Sequence, residues 1–458
     1  MGFALSILYF LTCYLTPQVL FGPLAAYRIE LILALILVFV SIPSFDGAII
    51  WKTPQSLAII GLAIAIFMSV LVGVGWASGG VSAFLLFIPN AFAYYLVCLH
   101  CNSKKKFQIV VLMMLFVCLF VIGQGLAEMH RGLPTRAEAD SPIVNRDDSY
   151  FFGMTNDARE WFYRLRGMGQ INDPNDFAQL IICVLPLTFA WWKPKAKFRN
   201  LVFVLVPVGV LLWGLYLTHS RGAILALLAV VVVASRKRIG LIPSLILAGA
   251  IFAGAMASSF TGGREISTAA GEDRTEFWGE GLQLLKAHPL FGIGFGQMPE
   301  YIGHTAHNTI VVCAAELGLF GLYFWSMFVL PSIRDTLVVA SPKKVNEIRA
   351  IIPEIEPGAA SYAVAGVPEG NEINKFGRLV LLSFVGYMVA GWFLSRAFVM
   401  TLFLLGGMGE VVFEMGRKRG MVLLRPRMGW VLRYSVVLMI AMVLTMYIVL
   451  RIVNLTSR

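Results

Sequence analysis

The sequence predicts an all-α polytopic membrane protein with about 12–13 transmembrane helices and two long loops on one face. Three observations carry this. The first is composition: of 458 residues, 58% are hydrophobic and 14% charged, and mean hydropathy is +0.77, where a soluble domain carries about 25% charged residues. The second is the many apolar runs near the ~20 residues that a helix needs to cross a bilayer. The third is the placing of lysine and arginine in short clusters between those runs. A β-barrel is excluded, because its strands would alternate in polarity.

In chain order the spans are expected at 3–22, 28–42, 56–75, 82–99, 107–127, 173–192, 200–218, 221–235, 240–259, 306–331, 376–394, 397–415 and 430–452. The first run, MGFALSILYFLTCYL, lacks the basic n-region of a cleaved signal, so it is read as a membrane helix. Gly2 and Ser6 fit a myristoylation pattern by coincidence. The expected organisation is N-terminal helices over 1–127, a first outer loop at 128–172 and a core at 173–331 that includes the loop 260–305. A cytoplasmic loop at 332–375 and C-terminal helices over 376–458 complete it.

The net charge of +11 raises nucleic acid as a partner. Its distribution argues for membrane lipids instead. Lys104–Lys106, Lys193 to Arg199, Arg236–Arg238, Lys343–Lys344 and Arg417 to Arg427 occupy five connections that can all lie on the cytoplasmic side. The chain then starts inside, and thirteen spans bring its C-terminus outside. The loops 128–172 and 260–305 and the turn Thr218–Arg221 then face outward. Six cysteines lie in or beside apolar runs and imply no disulfide framework. Cys98-Leu-His-Cys101 could ligate a metal, but no second pair accompanies it; neither metal nor cofactor is expected.

Three expected helices start at the outer face, each with a candidate cap: Asp173 followed by Pro174, Ser220 before Arg221, and Thr305. Helix N-termini carry free N–H groups and positive dipole ends, the ingredients of an anion site. Arg164 and Arg166 precede the first start, Arg221 sits in the second and Arg274 lies ahead of the third. Guanidinium groups bind phosphate in pairs of hydrogen bonds and keep their charge. The bland alternative is that these arginines snorkel to lipid headgroups. The apolar spacing from Glu272 to Pro289 predicts an amphipathic surface helix bearing Arg274.

His304 and His307 are three apart and would share a face if the helix reaches both. A neutral imidazole can take a proton from a sugar hydroxyl; an interfacial hydrogen bond or a cap is the other use. Glu316 lies nine residues on, about 13 Å deeper and on nearly the opposite face, so a buried structural hydrogen bond is expected there. Ala314 and Gly318 read as a small-residue seam for helix packing.

The ordered set RLRGMGQINDPNDFA (164–178), THSRGAILAL (218–227), GEDRTEFW (271–278), HPLFGIGFG (288–296) and HNTIVVCAAELGLFG (307–321) resembles the bacterial O-antigen ligase and polymerase superfamily. The resemblance implies a C-type glycosyltransferase-like fold and a metal-independent, inverting transfer. The donor would be a glycan on undecaprenyl diphosphate. The acceptor would be lipid A-core for a ligase, or another lipid-linked repeat unit for a polymerase. It assigns Arg221 and Arg274 to the diphosphate and His307 to the acceptor hydroxyl. Arg166, Asn175, Ser220, His304 and Asn308 are supporting positions. A diphosphate leaving as an anion gains charge as the glycosidic bond breaks, so preplaced guanidinium groups favour the transition state and no acid catalyst is needed.

Two other classes compete. A small-solute or anion transporter would place charge near the bilayer midplane on inverted repeats, and no repeat is visible. A scaffold of an export complex would tolerate loss of Arg221 and His307.

Overall fold

A computed structural model describes residues 1–21, 23–24, 27–44, 53–132, 149–155, 161–258, 260, 269–341, 368–419, 421, 423 and 425–456. Arg136, Arg146 and Arg159 of the first loop, and Lys343 and Lys344 of 332–375, lie outside the described residues.

Every expected span falls on a helix. These are α1 (Gly2–Leu15), α2 (Ile29–Ser41), α3 (Pro54–Gly73), α4 (Ala77–His100) and α5 (Lys104–His130). There follow α6 (Pro174–Leu187), α7 (Lys197–Leu217), α8 (Arg221–Ile239) and α9 (Leu241–Ala257). The amphipathic segment forms α10 (Ala269–Ala287), and α11 (Thr309–Ala340), α12 (Pro368–Gly391), α13 (Met400–Lys418) and α14 (Met428–Thr456) complete the series. Among the described residues seven helices are long and apolar enough to cross a membrane: α3, α4, α5, α7, α11, α12 and α14. α1, α2 and α9 are shorter and equally apolar. The protein is an all-α, multi-pass membrane protein.

The first expected span needs correction. α1 stops at Leu15 because Thr16 takes the left-handed conformation, φ 40°, and Pro17 opens a separate short helix, Pro17–Leu20. A residue before proline is disfavoured in the α region, which accounts for the break. The first loop also holds a hairpin that no periodicity announced. β1 (Phe151–Thr155) pairs antiparallel with β2 (Trp161–Leu165), Phe151 opposite Leu165.

The chain divides into two compact units. The first comprises Met1–Pro43, Ser103–Ile266 and Leu382–Ala390. Here α7 approaches α5 at Gly214, where a Cβ would stand 2.3 Å from Ile122. Gly125 of α5 similarly makes room for Leu165 of β2. The middle of α12 is tied to α6 by polar bonds: Ser383 Oγ donates to the Cys183 carbonyl at 2.6 Å, and Gln179 Nε2 to that of Tyr387 at 3.2 Å.

The second unit comprises Ser44–Asn102, Ser267–Leu381 and Gly391–Arg458. Its axis is α11, most of which is buried. Gly61 of α3 admits the Phe324 ring, and Gly406 of α13 admits Phe328. α11 is not continuous. Gly318 has φ 66° and ψ −168°, so the helix breaks there. The segment Pro289–Gly294 supplies the missing hydrogen bonds. Leu319 N donates to Pro289 O at 2.8 Å and Phe320 N to Leu290 O at 3.1 Å; Ile293 N donates to Ala315 O at 3.0 Å and Gly294 N to Glu316 O at 3.1 Å. Broken backbone inside an apolar span is tolerated only where protein satisfies it. Gly318 therefore serves backbone-to-backbone packing against Leu290, whose carbonyl lies 2.4 Å from a Cβ built there. This replaces the helix-to-helix seam expected of Ala314 and Gly318.

Candidate functional site

In the first unit, two of the expected helix starts are brought together. Asp173 caps α6, its carboxylate accepting from Asn175 N at 2.7 Å, with Pro174 in the first turn. Arg164, 4% exposed at the end of β2, joins that start to the turn before α8. Its Nε donates to Thr218 O and its Nη2 to Asn175 Oδ1, both at 2.8 Å. Arg166 is also buried and donates to the carbonyls of Ser149, at 3.2 Å, and Asn172, at 3.3 Å. These two guanidinium groups spend hydrogen bonds on the scaffold of the loop. Burial, and then the Glu128 carboxylate, push the Tyr150 phenol beside them above its ordinary value, so it stays neutral.

The turn into α8 is the contrasting case. Ser220 is the N-cap residue and is buried, yet its side chain makes no cap bond. Its own N–H donates to Thr218 Oγ1 at 3.3 Å. Arg221, partly exposed, is the first helical residue. Preceding them, His219 holds φ 48°, with Nδ1 2.6 Å from the Phe260 carbonyl. A non-glycine residue in the left-handed region costs energy, and such strain gathers at functional sites.

In the second unit, α10 carries Arg274, partly exposed, and one turn later Trp278, which is buried. Trp278 Nε1 donates to Ala306 O at 2.9 Å. Glu280 Oε2 lies 3.3 Å from His304 Nε2, and the Phe277 ring packs on the same imidazole. The loop 304–308 is thereby held against α10. His307 follows, exposed and again at φ 48°.

Two expectations fail here. The cap of α11 is Asn308, not Thr305: Asn308 Oδ1 accepts from Ile310 N at 2.9 Å and Val311 N at 3.1 Å. The helix starts at Thr309, so His304 and His307 share no helical face. Their surroundings differ as well: His304 lies beside Glu280, and His307 is exposed. Glu316, 5% exposed, takes the expected structural part, accepting from Met298 N at 3.4 Å.

The segment between α12 and α13 was missed by sequence reasoning. Asn308 Nδ2 donates to Trp392 O at 3.0 Å, Thr309 Oγ1 to Leu394 O at 2.7 Å, and Arg396 N to Thr309 Oγ1 at 3.3 Å. It clamps the start of α11. The one signal was a short polar break, Ser395-Arg396, between two apolar runs.

In sequence, Ser220, Arg221, Arg274, His304, His307 and Asn308 all fall between the start of α8 and the start of α11. That stretch is where the comparison with known families falls. Residues 201–326 match the family model described as O-Antigen ligase. The matched stretch contains Ser220, Arg221, Arg274, His304, His307 and Asn308, while Arg166 and Asn175 precede it. It supports an O-antigen ligase or polymerase type of function, that of a membrane glycosyltransferase-like enzyme acting on lipid-linked glycan and an acceptor. No curated protein matches the chain.

Proposed function

We propose that the protein transfers a glycan from undecaprenyl diphosphate to an acceptor, lipid A-core, at the periplasmic face of the inner membrane. The observation that carries this is the start of α8 at Arg221, where Ser220 makes no side-chain cap bond, within the stretch that matches the O-Antigen ligase model. Asp173 and Asn308 fill the starts of α6 and α11 with their own side-chain oxygens; Ser220 leaves that of α8 without a side-chain cap. An anion is drawn to such a start by the dipole and the first N–H groups, and Arg221 adds a fixed charge.

In this mechanism His307 takes the proton of the acceptor hydroxyl as that oxygen bonds to the anomeric carbon. The bond from that carbon to the diphosphate oxygen breaks with inversion, and undecaprenyl diphosphate leaves as an anion. Arg221 and Arg274 hold the departing charge, most strongly in the transition state. The proton remains on the imidazolium until product leaves.

Expression in two bacterial hosts, one lacking its O-antigen ligase and one its polymerase, tests this with the lipopolysaccharide ladder as readout. Restored capping of lipid A-core in the first host is expected. Restoration only in the second would make the acceptor another lipid-linked repeat unit, and restoration in neither would overturn the transfer.

A further inference from the structure

We infer that Trp278 is a positioning residue that sets the conformation of His307 through the intervening Ala306 carbonyl; the inference rests on the reading of His307 as the base. Trp278 lies one helical turn beyond Arg274 on α10, so one rigid element carries both the loop arginine and this anchor. Its indole N–H donates to Ala306 O at 2.9 Å in a buried setting. That carbonyl belongs to the peptide that leads directly into His307.

His307 sits at φ 48°, a conformation that persists only where its surroundings over-determine it. The constraints are visible on both sides. On the far side, Asn308 is fixed by three hydrogen bonds: its Oδ1 accepts from Ile310 N and Val311 N, and its Nδ2 donates to Trp392 O. On the near side, Ala306 is fully buried and its carbonyl is held by Trp278. The two sides also meet, because the rings of Trp278 and Trp392 are in edge contact, with centroids 6.0 Å apart and planes at 85°. Such T-shaped pairs hold a preferred geometry. In the same loop, His304 Nε2 lies 3.3 Å from Oε2 of Glu280, two residues beyond Trp278 on α10. His307 is thus suspended between two fixed peptides, and Trp278 fixes the preceding one from the helix that carries Arg274.

The consequence is a division of labour. Removing the indole N–H leaves α10 and Arg274 in place but releases the Ala306–His307 peptide. Misplacing a reacting group by about 1 Å costs on the order of 100-fold in rate. Trp278→Phe keeps an aromatic ring against Trp392 and deletes the donor. Replacing Trp278 by benzothienylalanine keeps the indole's volume as well, and guards against a packing fault.

The experiment is steady-state transfer by the purified full chain in detergent, with an undecaprenyl-diphosphate-linked glycan as donor and lipid A-core as acceptor. Melting of each variant is recorded alongside, with His307→Ala as the reference for loss of the base. Both Trp278 variants are expected to lose about 10- to 100-fold in kcat, with donor KM within about twofold and only a small fall in melting temperature from the buried Ala306 carbonyl left unpaired. Wild-type kcat in the benzothienylalanine protein would overturn the inference while leaving the proposed function intact. Equal losses in kcat, donor affinity and melting would also overturn it, by making Trp278 a packing residue. Activity in His307→Ala would instead remove the base on which the inference rests.

Discussion

The starts of α8 and α11 look alike in sequence and differ in what they leave open. Each follows a histidine held at φ 48°, His219 in one and His307 in the other. Each has a small polar residue at the N-cap, Ser220 and Asn308, and both are buried. Asn308 spends its side chain on the helix, satisfying two N–H groups; Ser220 makes no such bond. The capped start is a rigid pedestal that offers the residue before it, exposed His307. The start of α8 has no side-chain cap from Ser220, and Arg221 is its first residue. In the proposed mechanism, one motif, a strained histidine ahead of a helix, would present a base at α11 and receive an anion at α8.

The largest effect that can break this comparison is loss of the base. His307→Ala should lower transfer by about 10²- to 10⁴-fold, measured as turnover of purified protein, whereas His219→Ala should leave a measurable rate. Next comes the anion side. Arg221→Ala should cost about 10²- to 10³-fold in kcat, as removal of one preorganised donor does, and Arg221→Lys should recover part of it, since charge returns without the paired geometry.

Stability measurements sharpen the contrast at smaller magnitude. Gly318→Ala forces a Cβ to 2.4 Å from Leu290 O at φ 66°, so it should cost more than about 1 kcal/mol and lower the melting temperature in detergent. Asn308→Ala removes the cap and should cost about 1 kcal/mol. Ser220→Ala removes no cap bond and should stay within about 0.5 kcal/mol by the same melting assay. Equal losses for Asn308→Ala and Ser220→Ala would erase the distinction between the two starts.

Much of the fold was legible because lipid leaves few options: apolar runs without alternation must become helices, and each expected span falls on helix, the first of them broken at Thr16. The Asp173-Pro174 start was equally plain, since its cap is local in sequence. What escaped was set by partners far along the chain. Thr305 and Asn308 are both acceptable caps by type; Asn308 prevails where its amide also reaches Trp392, 84 residues on. Gly318 has the spacing of a helix seam, but Pro289–Gly294 supplies hydrogen-bond partners that make a break affordable. Arg164 and Arg166 carry the charge of an anion site, yet their donors are directed at Thr218, Asn175, Ser149 and Asn172. Composition names a guanidinium; only geometry says whether scaffold or ligand takes its hydrogen bonds.

The division between an anion-receiving start and a base-presenting start is tested most directly by product binding. Affinity for undecaprenyl diphosphate would be measured for the wild-type protein, Arg221→Ala and His307→Ala under one set of conditions. The expected result is at least about a tenfold loss of affinity in Arg221→Ala, the scale of a charge-assisted hydrogen bond, and near-wild-type binding in an inactive His307→Ala. Undiminished binding by Arg221→Ala, or a loss confined to His307→Ala, would contradict the account.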